Sequence, residues 1–158
     1  MWGVDYRYET TIADRVGEGD RLCFYVLQNM RSGLRKHVHA AQLTDVDRRE
    51  LELARGSFVG IWEVSGPYFQ DNTPIGWVNR DGQAEVYPHR RAISLMAEPA
   101  EPIPLKPDSD IFSDLLFITD KTSSWYNILY ASMALISDDD MTVFEAYAKY
   151  RPREVRQV

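Results

Sequence analysis

Cysteine is nearly absent from this sequence, since Cys23 is the only one in 158 residues. A single cysteine excludes an internal disulfide framework and a cysteine-cluster metal site, and its apolar neighbours predict a small buried hydrophobe. Long apolar runs are also missing, because no stretch approaches the roughly 20 residues that span a bilayer. The first residues show no secretory signal pattern. These absences predict an intracellular, cytoplasmic protein that does not enter a membrane.

Positive charge is scarce, with 18 Lys and Arg against 24 Asp and Glu and a net charge of −6. Nucleic-acid binders usually have a basic domain, so strong nonspecific attraction to phosphate is not expected. The basic residues are nevertheless unevenly spread. They form three groups: Arg31, Arg35, Lys36, His37 and His39; Arg80, His89, Arg90 and Arg91; and Lys149, Arg151, Arg153 and Arg156. A local basic face therefore remains compatible with the acidic total.

The usual catalytic signatures are missing as well: a glycine-rich phosphate loop, HExxH, GxSxG and zinc-ligand spacing. His37 and His39 would share one side of a strand, but two histidines without a nearby acid make a poor metal site. The acidic run Asp138–Asp140 has a structural explanation at the start of a helix. The sequence thus predicts no catalytic residue, no metal and no cofactor.

Short strands and short helices alternate along the chain, which predicts an α+β domain. Aromatic and β-branched residues indicate strands at Arg21–Gln28, Ser57–Ser65 and Arg91–Met96. Capping residues and helical spacing indicate helices at Thr44–Ala54, at Ile111–Leu116 and from Ser137 onward. Turn chemistry, including Gly66-Pro67, predicts a loop over 66–83. The predicted barrel core consists of Leu22, Phe24, Val26, Val59, Ile61 and Val64.

Aromatic residues near turns are the strongest functional signal. The set is Trp2, Tyr6, Trp62, Tyr68, Phe69, Trp77, Tyr87, Trp125 and Tyr126. Any one of them is more often core than site. As a group around turns they could form a stacking pocket for a nucleobase, because every base has a π-face.

Several motifs occur in an order that resembles the EVE domain, a PUA-like fold similar to the YTH-type readers of methylated adenine. They are Trp2-Gly-Val, Gly19-Asp-Arg-Leu-Cys-Phe-Tyr-Val26, Phe58-Val-Gly-Ile-Trp-Glu-Val-Ser-Gly-Pro-Tyr-Phe69, Tyr87-Pro-His-Arg90 and Leu116-Phe-Ile-Thr-Asp-Lys-Thr-Ser-Ser-Trp125. The acidic helix start continues the match. The resemblance covers most of the chain, and the order of the motifs is its specific feature.

The resemblance implies a curled β-barrel surrounded by short helices, in one domain over 1–158. It also implies a pocket that receives one flipped-out modified base of DNA or RNA. Trp2 and Trp77, the latter in Thr73-Pro-Ile-Gly-Trp77, correspond to the aromatic cage. The expected pocket residues are Trp2, Trp77, Tyr68, Asn72 and Asn79, and the expected phosphate contacts are Arg35, Lys36, Arg80 and Arg90.

Two departures from the family pattern carry expectations of their own. Family members usually have a strand and a helix before the Trp-Gly-Val segment, and this sequence starts at Met1-Trp2. Because an exposed sheet edge pairs with other chains, we expect a homodimer through that edge or a substituting segment. The second departure is an insertion-like segment at 29–55, which holds the first basic group.

Two other classes of function remain open. PUA-like relatives of the ASCH type hydrolyse modified nucleosides with a Lys, Thr and Glu set, and Lys121, Thr122 and Glu63 are counterparts by residue type only. Alternatively, the chain is a protein-interaction module that uses an exposed edge and the segment 29–55. Turnover of modified nucleosides would favour the enzyme, and partners that survive nuclease treatment would favour the interaction module.

Overall fold

The structure is a computed structural model that describes residues 2–4, 9–26, 44–74, 83–84, 86–119 and 135–149. It contains strands and short helices in one chain, which confirms the α+β class. The strands are β1 (Trp2–Val4), β2 (Arg21–Val26), β3 (Ser57–Gln70), β4 (His89–Ala97) and β5 (Ile103–Pro104). The helices are a π-helix (Thr11–Arg15), α1 (Asp45–Ala54), α2 (Asp110–Asp114) and α3 (Asp138–Lys149).

The strands form an antiparallel sheet in the order β1-β4-β3-β2, and β5 pairs with β3. Trp2 lies opposite Arg91 in the register of β1 and β4. Over these five strands the sheet does not return to its first strand, so it is open. The curled barrel therefore stays a prediction, and so does the homodimer through a sheet edge.

The chain divides into two compact units. Unit 1 comprises Met1–Leu22, Met30–Arg49 and Trp62–Leu95, and unit 2 comprises Cys23–Asn29, Glu50–Ile61 and Met96–Val158. Each unit draws on separate stretches of sequence, as antiparallel strands from distant parts of a chain require. The single domain over 1–158 stays a prediction.

Unit 2 holds a continuous apolar core. Its buried members are Phe58, Ile61, Ile103, Leu105, Ile111, Phe112, Leu115, Ile118, Met141, Phe144 and Ala148. The rings of Phe58 and Phe144 lie 4.7 Å apart between centroids, at a tilted angle that suits aromatic packing. Helices α2 and α3 thus cover one side of β3 and β5 with the apolar residues that their helical spacing predicts.

The predicted core is correct at two of its six positions. Ile61 in unit 2 and Val64 in unit 1 are fully buried. The prediction was wrong for Leu22, Phe24, Val26 and Val59, which are only half-buried. On β2 it is Cys23 and Tyr25 that pack against the unit 2 core, and Cys23 Sγ lies 3.5 Å from Met141 Sδ. Side chains alternate between the two faces of a strand. A prediction that assigns the wrong face to the core therefore selects residues that are each one position away from those that pack inward.

The predicted turn at Gly66-Pro67 was also wrong, because β3 continues through it to Gln70. Gly66 is buried, and a Cβ added there would lie 3.2 Å from the Cβ of Ala92 on β4. A glycine inside a strand can mark a close approach of two backbones instead of a turn. The extension carries Tyr68 on a strand rather than a loop.

The helix predictions are confirmed within one or two residues. Helix α1 ends at Ala54, and Gly56 follows with a positive φ of 69°, donating its N–H to Val26 O at 2.8 Å. A glycine after a helix takes this left-handed conformation without a Cβ penalty. The segment 29–43 lies outside the described residues.

Ser137 caps α3, as predicted, and Asp140 of the first turn binds it. Asp140 is 1% exposed and accepts hydrogen bonds from the backbone N–H groups of Leu116 (2.5 Å) and Phe117 (3.3 Å) and from the hydroxyl of Ser137 (2.7 Å). Ser137 Oγ in turn accepts the N–H of Asp140 at 3.1 Å. These contacts give the carboxylate a structural role. Among the described residues no His, Cys, Asp and Glu side chains form a metal-binding group, and no helix is long and apolar enough to cross a membrane.

Candidate functional site

Three consecutive basic residues at the start of β4 are buried in unit 1. His89, Arg90 and Arg91 are 6%, 3% and 6% exposed. Charged side chains are almost never buried unless they are paired, because removing a charge from water is costly. The partners of these three side chains therefore show what this part of unit 1 is built to hold in place.

Arg91 joins the π-helix to β3. Its Nε donates to Ile12 O at 2.9 Å, and its two terminal nitrogens donate to Ala13 O at 3.1 Å and Gly66 O at 3.4 Å. Ile12 is itself fully buried. All three acceptors are backbone carbonyls, so Arg91 is a structural anchor of unit 1.

Arg90 holds the segment that follows β3. Its Nε donates to Tyr87 O at 2.8 Å, one terminal nitrogen binds Asp71 Oδ2 at 2.6 Å, and the other donates to Thr73 O. A planar guanidinium suits this task, since its N–H donors point in fixed directions. The side chain thereby connects the start of β4 to both Asp71 and Thr73.

Asp71 forms further hydrogen bonds that hold the segment after β3. Its Oδ1 accepts the backbone N–H of Thr73 at 2.8 Å, which is the local turn that Asp side chains favour. Its own N–H donates to Pro88 O at 2.9 Å. Hydrogen bonding from Thr73, followed by the charge of Arg90, lowers the pKa of the Asp71 carboxyl below its ordinary value. We call the set Arg90, Asp71 and Thr73 the arginine clamp.

His89 forms the second polar arrangement of unit 1. Its Nδ1 lies 2.8 Å from the hydroxyl of Tyr68, and the two rings are nearly parallel, at 9°. Gln70 Nε2 donates to the same hydroxyl at 2.9 Å. On the other side of the imidazole, Nε2 faces Glu9 Oε2 at 3.9 Å. Tyr68 is half-buried, while Gln70 and Glu9 are exposed.

The structure brings three of the predicted site residues into one part of unit 1. Tyr68 lies on β3, Asn72 is exposed in the segment after it, and Arg90 lies at the start of β4. The backbone of Trp2 pairs with β4, but its side chain is outside the described part of the structure. Five further predicted residues lie entirely outside the described ranges: Trp77, Asn79, Arg35, Lys36 and Arg80.

The residues considered for hydrolysis are only partly described. Glu63 is half-buried on β3, and Lys121 and Thr122 lie outside the described ranges. The catalytic set therefore stays an untested alternative.

Sequence reasoning missed Asp71, Thr73 and His89 as organising residues. Asp71 had a local signal, because an Asp two residues before a Thr at the end of a strand is typical of a side-chain-closed turn. Burial of the run His89-Arg90-Arg91 had no such signal, because apart from Tyr87 the residues that hydrogen-bond to these side chains lie 17 or more positions away in the sequence.

Comparison with known proteins identifies a relative but no family. No protein-family model matches this chain. A UPF0310 protein of Pyrococcus abyssi is 28% identical over 146 residues, which is 92% of this chain and 84% of that protein. The similarity extends over nearly the whole sequence, and the name of that protein states no ligand or activity.

Proposed function

We propose that this chain is an EVE-domain protein with a PUA-like curled barrel that binds DNA or RNA by receiving one modified, flipped-out base in an aromatic pocket. The observation that carries the proposal is the arginine clamp. It fixes Asp71 and Thr73 at the beginning of Thr73-Pro-Ile-Gly-Trp77, the segment that the resemblance assigns to the cage.

A fixed segment suits a stacking pocket. An aromatic ring that must be ordered when the base arrives loses part of the binding energy to conformational entropy. A segment whose first residues, Asp71 and Thr73, are already held by hydrogen bonds from Arg90, within the turn and to Pro88 O reduces that loss. Stacking of one base on an aromatic side chain contributes roughly 1–3 kcal/mol by substitution, so the position of Trp77 accounts for much of the proposed affinity.

The clamp also assigns a role to Arg90. Its guanidinium is buried and already donates to three protein acceptors, which suits a positioning residue. Its predicted phosphate contact stays a prediction. The proposed phosphate contacts from the rest of the chain are Arg35, Lys36 and Arg80. The proposed site places few basic residues against the nucleic acid, and the chain has a net charge of −6. Its affinity for an oligonucleotide should therefore decrease less steeply with salt concentration than that of a basic binder.

The proposal is tested by titrating the full chain with short oligonucleotides, each carrying one methylated base, and with the same sequences unmodified, as DNA and as RNA. We expect tighter binding of a modified strand, and a loss of about tenfold or more for Trp77→Ala. The control is Leu116→Ala, an exposed residue of unit 2. Equal affinity of the wild-type and Trp77→Ala chains for every oligonucleotide would refute the proposal.

The same samples address the enzyme. Incubation of the full chain with methylated and acetylated nucleosides should leave them unchanged if the chain is only a reader. If the wild type converts these nucleosides and Glu63→Gln does not, the hydrolase is the correct function and the reader proposal is wrong.

A further inference from the structure

Helix α1 lies within the insertion-like segment 29–55 and carries two large apolar side chains that are open to water. Val46 is 63% exposed and Leu53 is 75% exposed. The helix also has a buried side, which includes Ala54. A single exposed apolar side chain is ordinary on a protein surface, but these two share one face of a helix.

The spacing of the exposed residues places four side chains on that face. Val46, Arg49, Glu50 and Leu53 follow at i, i+3, i+4 and i+7, which is the spacing of one helical face. All four are exposed and belong to one helix, so their relative positions follow from helical geometry alone. Within the part of the chain that the structure describes, neither Arg49 nor Glu50 forms an ion pair or a side-chain hydrogen bond. We call these four residues the α1 stripe.

The α1 stripe is complementary to itself when two copies of the helix run antiparallel. A twofold axis between Arg49 and Glu50 brings each residue opposite the one that lies equally far on the other side of the axis. Val46 then faces Leu53 of the second copy, and Arg49 faces Glu50 of the second copy. A parallel pair would instead place Arg49 opposite Arg49 and Glu50 opposite Glu50, and like charges across a contact are unfavourable.

From this complementarity we propose that α1 is a self-association surface, and that its occupant is the same helix of a second copy of this chain, running antiparallel. The charge pattern favours a second copy over an unrelated peptide, because one helix supplies both halves of every contact. The helix has 10 residues and is about 15 Å long, so the contact is smaller than a standard interface of roughly 1,200–2,000 Å². The dimer is therefore weak and depends on protein concentration. The inference does not depend on the proposed function, since base binding can succeed or fail without changing it.

Sedimentation of the full chain from about 10 µM to about 1 mM measures the association, because this range suits a weak dimer. We expect the average mass to rise from one copy toward two as the concentration increases. Leu53→Lys should weaken the association by about tenfold or more, because it removes an apolar contact at both ends of the stripe. The matched control is Leu116→Lys in unit 2, which replaces a residue that is 63% exposed and lies outside α1, and it should leave the association unchanged.

Charge exchange tests the antiparallel register directly. In Arg49→Glu both charge pairs between the helices become acid against acid, and in Glu50→Arg both become base against base. Each variant alone should therefore associate about fivefold or more weakly than the wild type. An equimolar mixture of the two variants restores opposite charges in both pairs and should associate about as tightly as the wild type, and so should the double variant Arg49→Glu/Glu50→Arg.

The substituted positions are exposed, so the urea unfolding midpoints of all variants should stay close to that of the wild type. This control separates lost association from lost folding. A wild-type chain that stays monomeric over the whole concentration range would overturn the inference, and so would a dimer that Leu53→Lys leaves intact. Equal association of the wild type, the two single variants and their mixture would overturn the antiparallel pairing of α1.

Discussion

Removing the guanidinium of Arg90 should destabilise unit 1 far more than removing an exposed cation. The Arg90 side chain is 4% exposed, and its contacts to Tyr87 O, Asp71 and Thr73 O are all internal. Lys106 offers a matched control, because it also pairs with an aspartate, Asp108, at 3.1 Å, but its side chain is 54% exposed. The comparison is Arg90→Met against Lys106→Met.

The magnitude follows from what each substitution leaves behind. In Arg90→Met the half-buried carbonyl of Tyr87 loses its donor at a cost of about 1 kcal/mol or more, and the hydrogen bonds from the charged guanidinium to Asp71 and Thr73 are lost, although Thr73 is exposed and water can replace its donor. Asp71 is 32% exposed on its side chain, so water can rehydrate it, and the full penalty of about 3–5 kcal/mol for an orphaned buried charge does not apply. We therefore expect a loss of about 2 kcal/mol for Arg90→Met and of less than about 0.5 kcal/mol for Lys106→Met.

Urea unfolding measures both losses. Unchanged m-values would show that each substitution alters only the free energy of unfolding. Arg90→Lys separates geometry from charge, because it keeps the charge but not the planar fork. If the clamp positions the segment, Arg90→Lys should lose most of the stability and also weaken binding of a modified oligonucleotide, with an unchanged salt dependence. Equal unfolding midpoints for Arg90→Met and Lys106→Met would refute the clamp.

Three further predictions concern pH, capping and backbone conformation. Hydrogen bonding from Thr73 and the charge of Arg90 lower the pKa of Asp71 from 3.8, so its contribution to stability is complete above about pH 4 and disappears as the pH falls below that value. The unfolding midpoints of the wild type and Asp71→Asn should therefore differ at pH 6 and converge at low pH. A difference that stays constant with pH would contradict this. Asp140→Ala should cost about 3 kcal/mol in urea unfolding, because three donors lose their acceptor, whereas Asp139→Ala, at an exposed position of the same turn, should cost about 0.5 kcal/mol; equal losses would show that Asp140 acts only through charge. Gly56→Ala should lower stability by about 1 kcal/mol, since its φ of 69° disfavours any side chain, and a neutral result would mean that the backbone there relaxes.

Local signals in the sequence were sufficient for the helices. Helix α1 has its predicted end because Gly56 can adopt a positive φ, and α3 begins where Ser137 and Asp140 cap each other. Both signals come from residues within one turn of the helix end, where a local pattern can show them, although Asp140 also accepts from the distant Leu116 and Phe117. The α+β class follows from the same short-range evidence.

Long-range contacts determined what could not be predicted. Gly66 indicated a turn, but its cause is Ala92 on the neighbouring strand. Arg91 looked like one member of a basic group, but its acceptors Ile12 and Ala13 lie 79 and 78 residues away. The face of β2 that packs inward depends on the position of Met141, far along the chain. None of these partners is visible in a local pattern.

The central claim is that the segment held by the arginine clamp presents an aromatic residue to a modified base. The most direct measurement is the affinity of the full chain for a methylated oligonucleotide and its unmodified counterpart, in the wild type and in Trp77→Ala. The account predicts that the wild type prefers the modified strand, and that Trp77→Ala binds it about tenfold or more weakly while its unfolding midpoint stays unchanged. Equal binding of both oligonucleotides by both chains would contradict the claim.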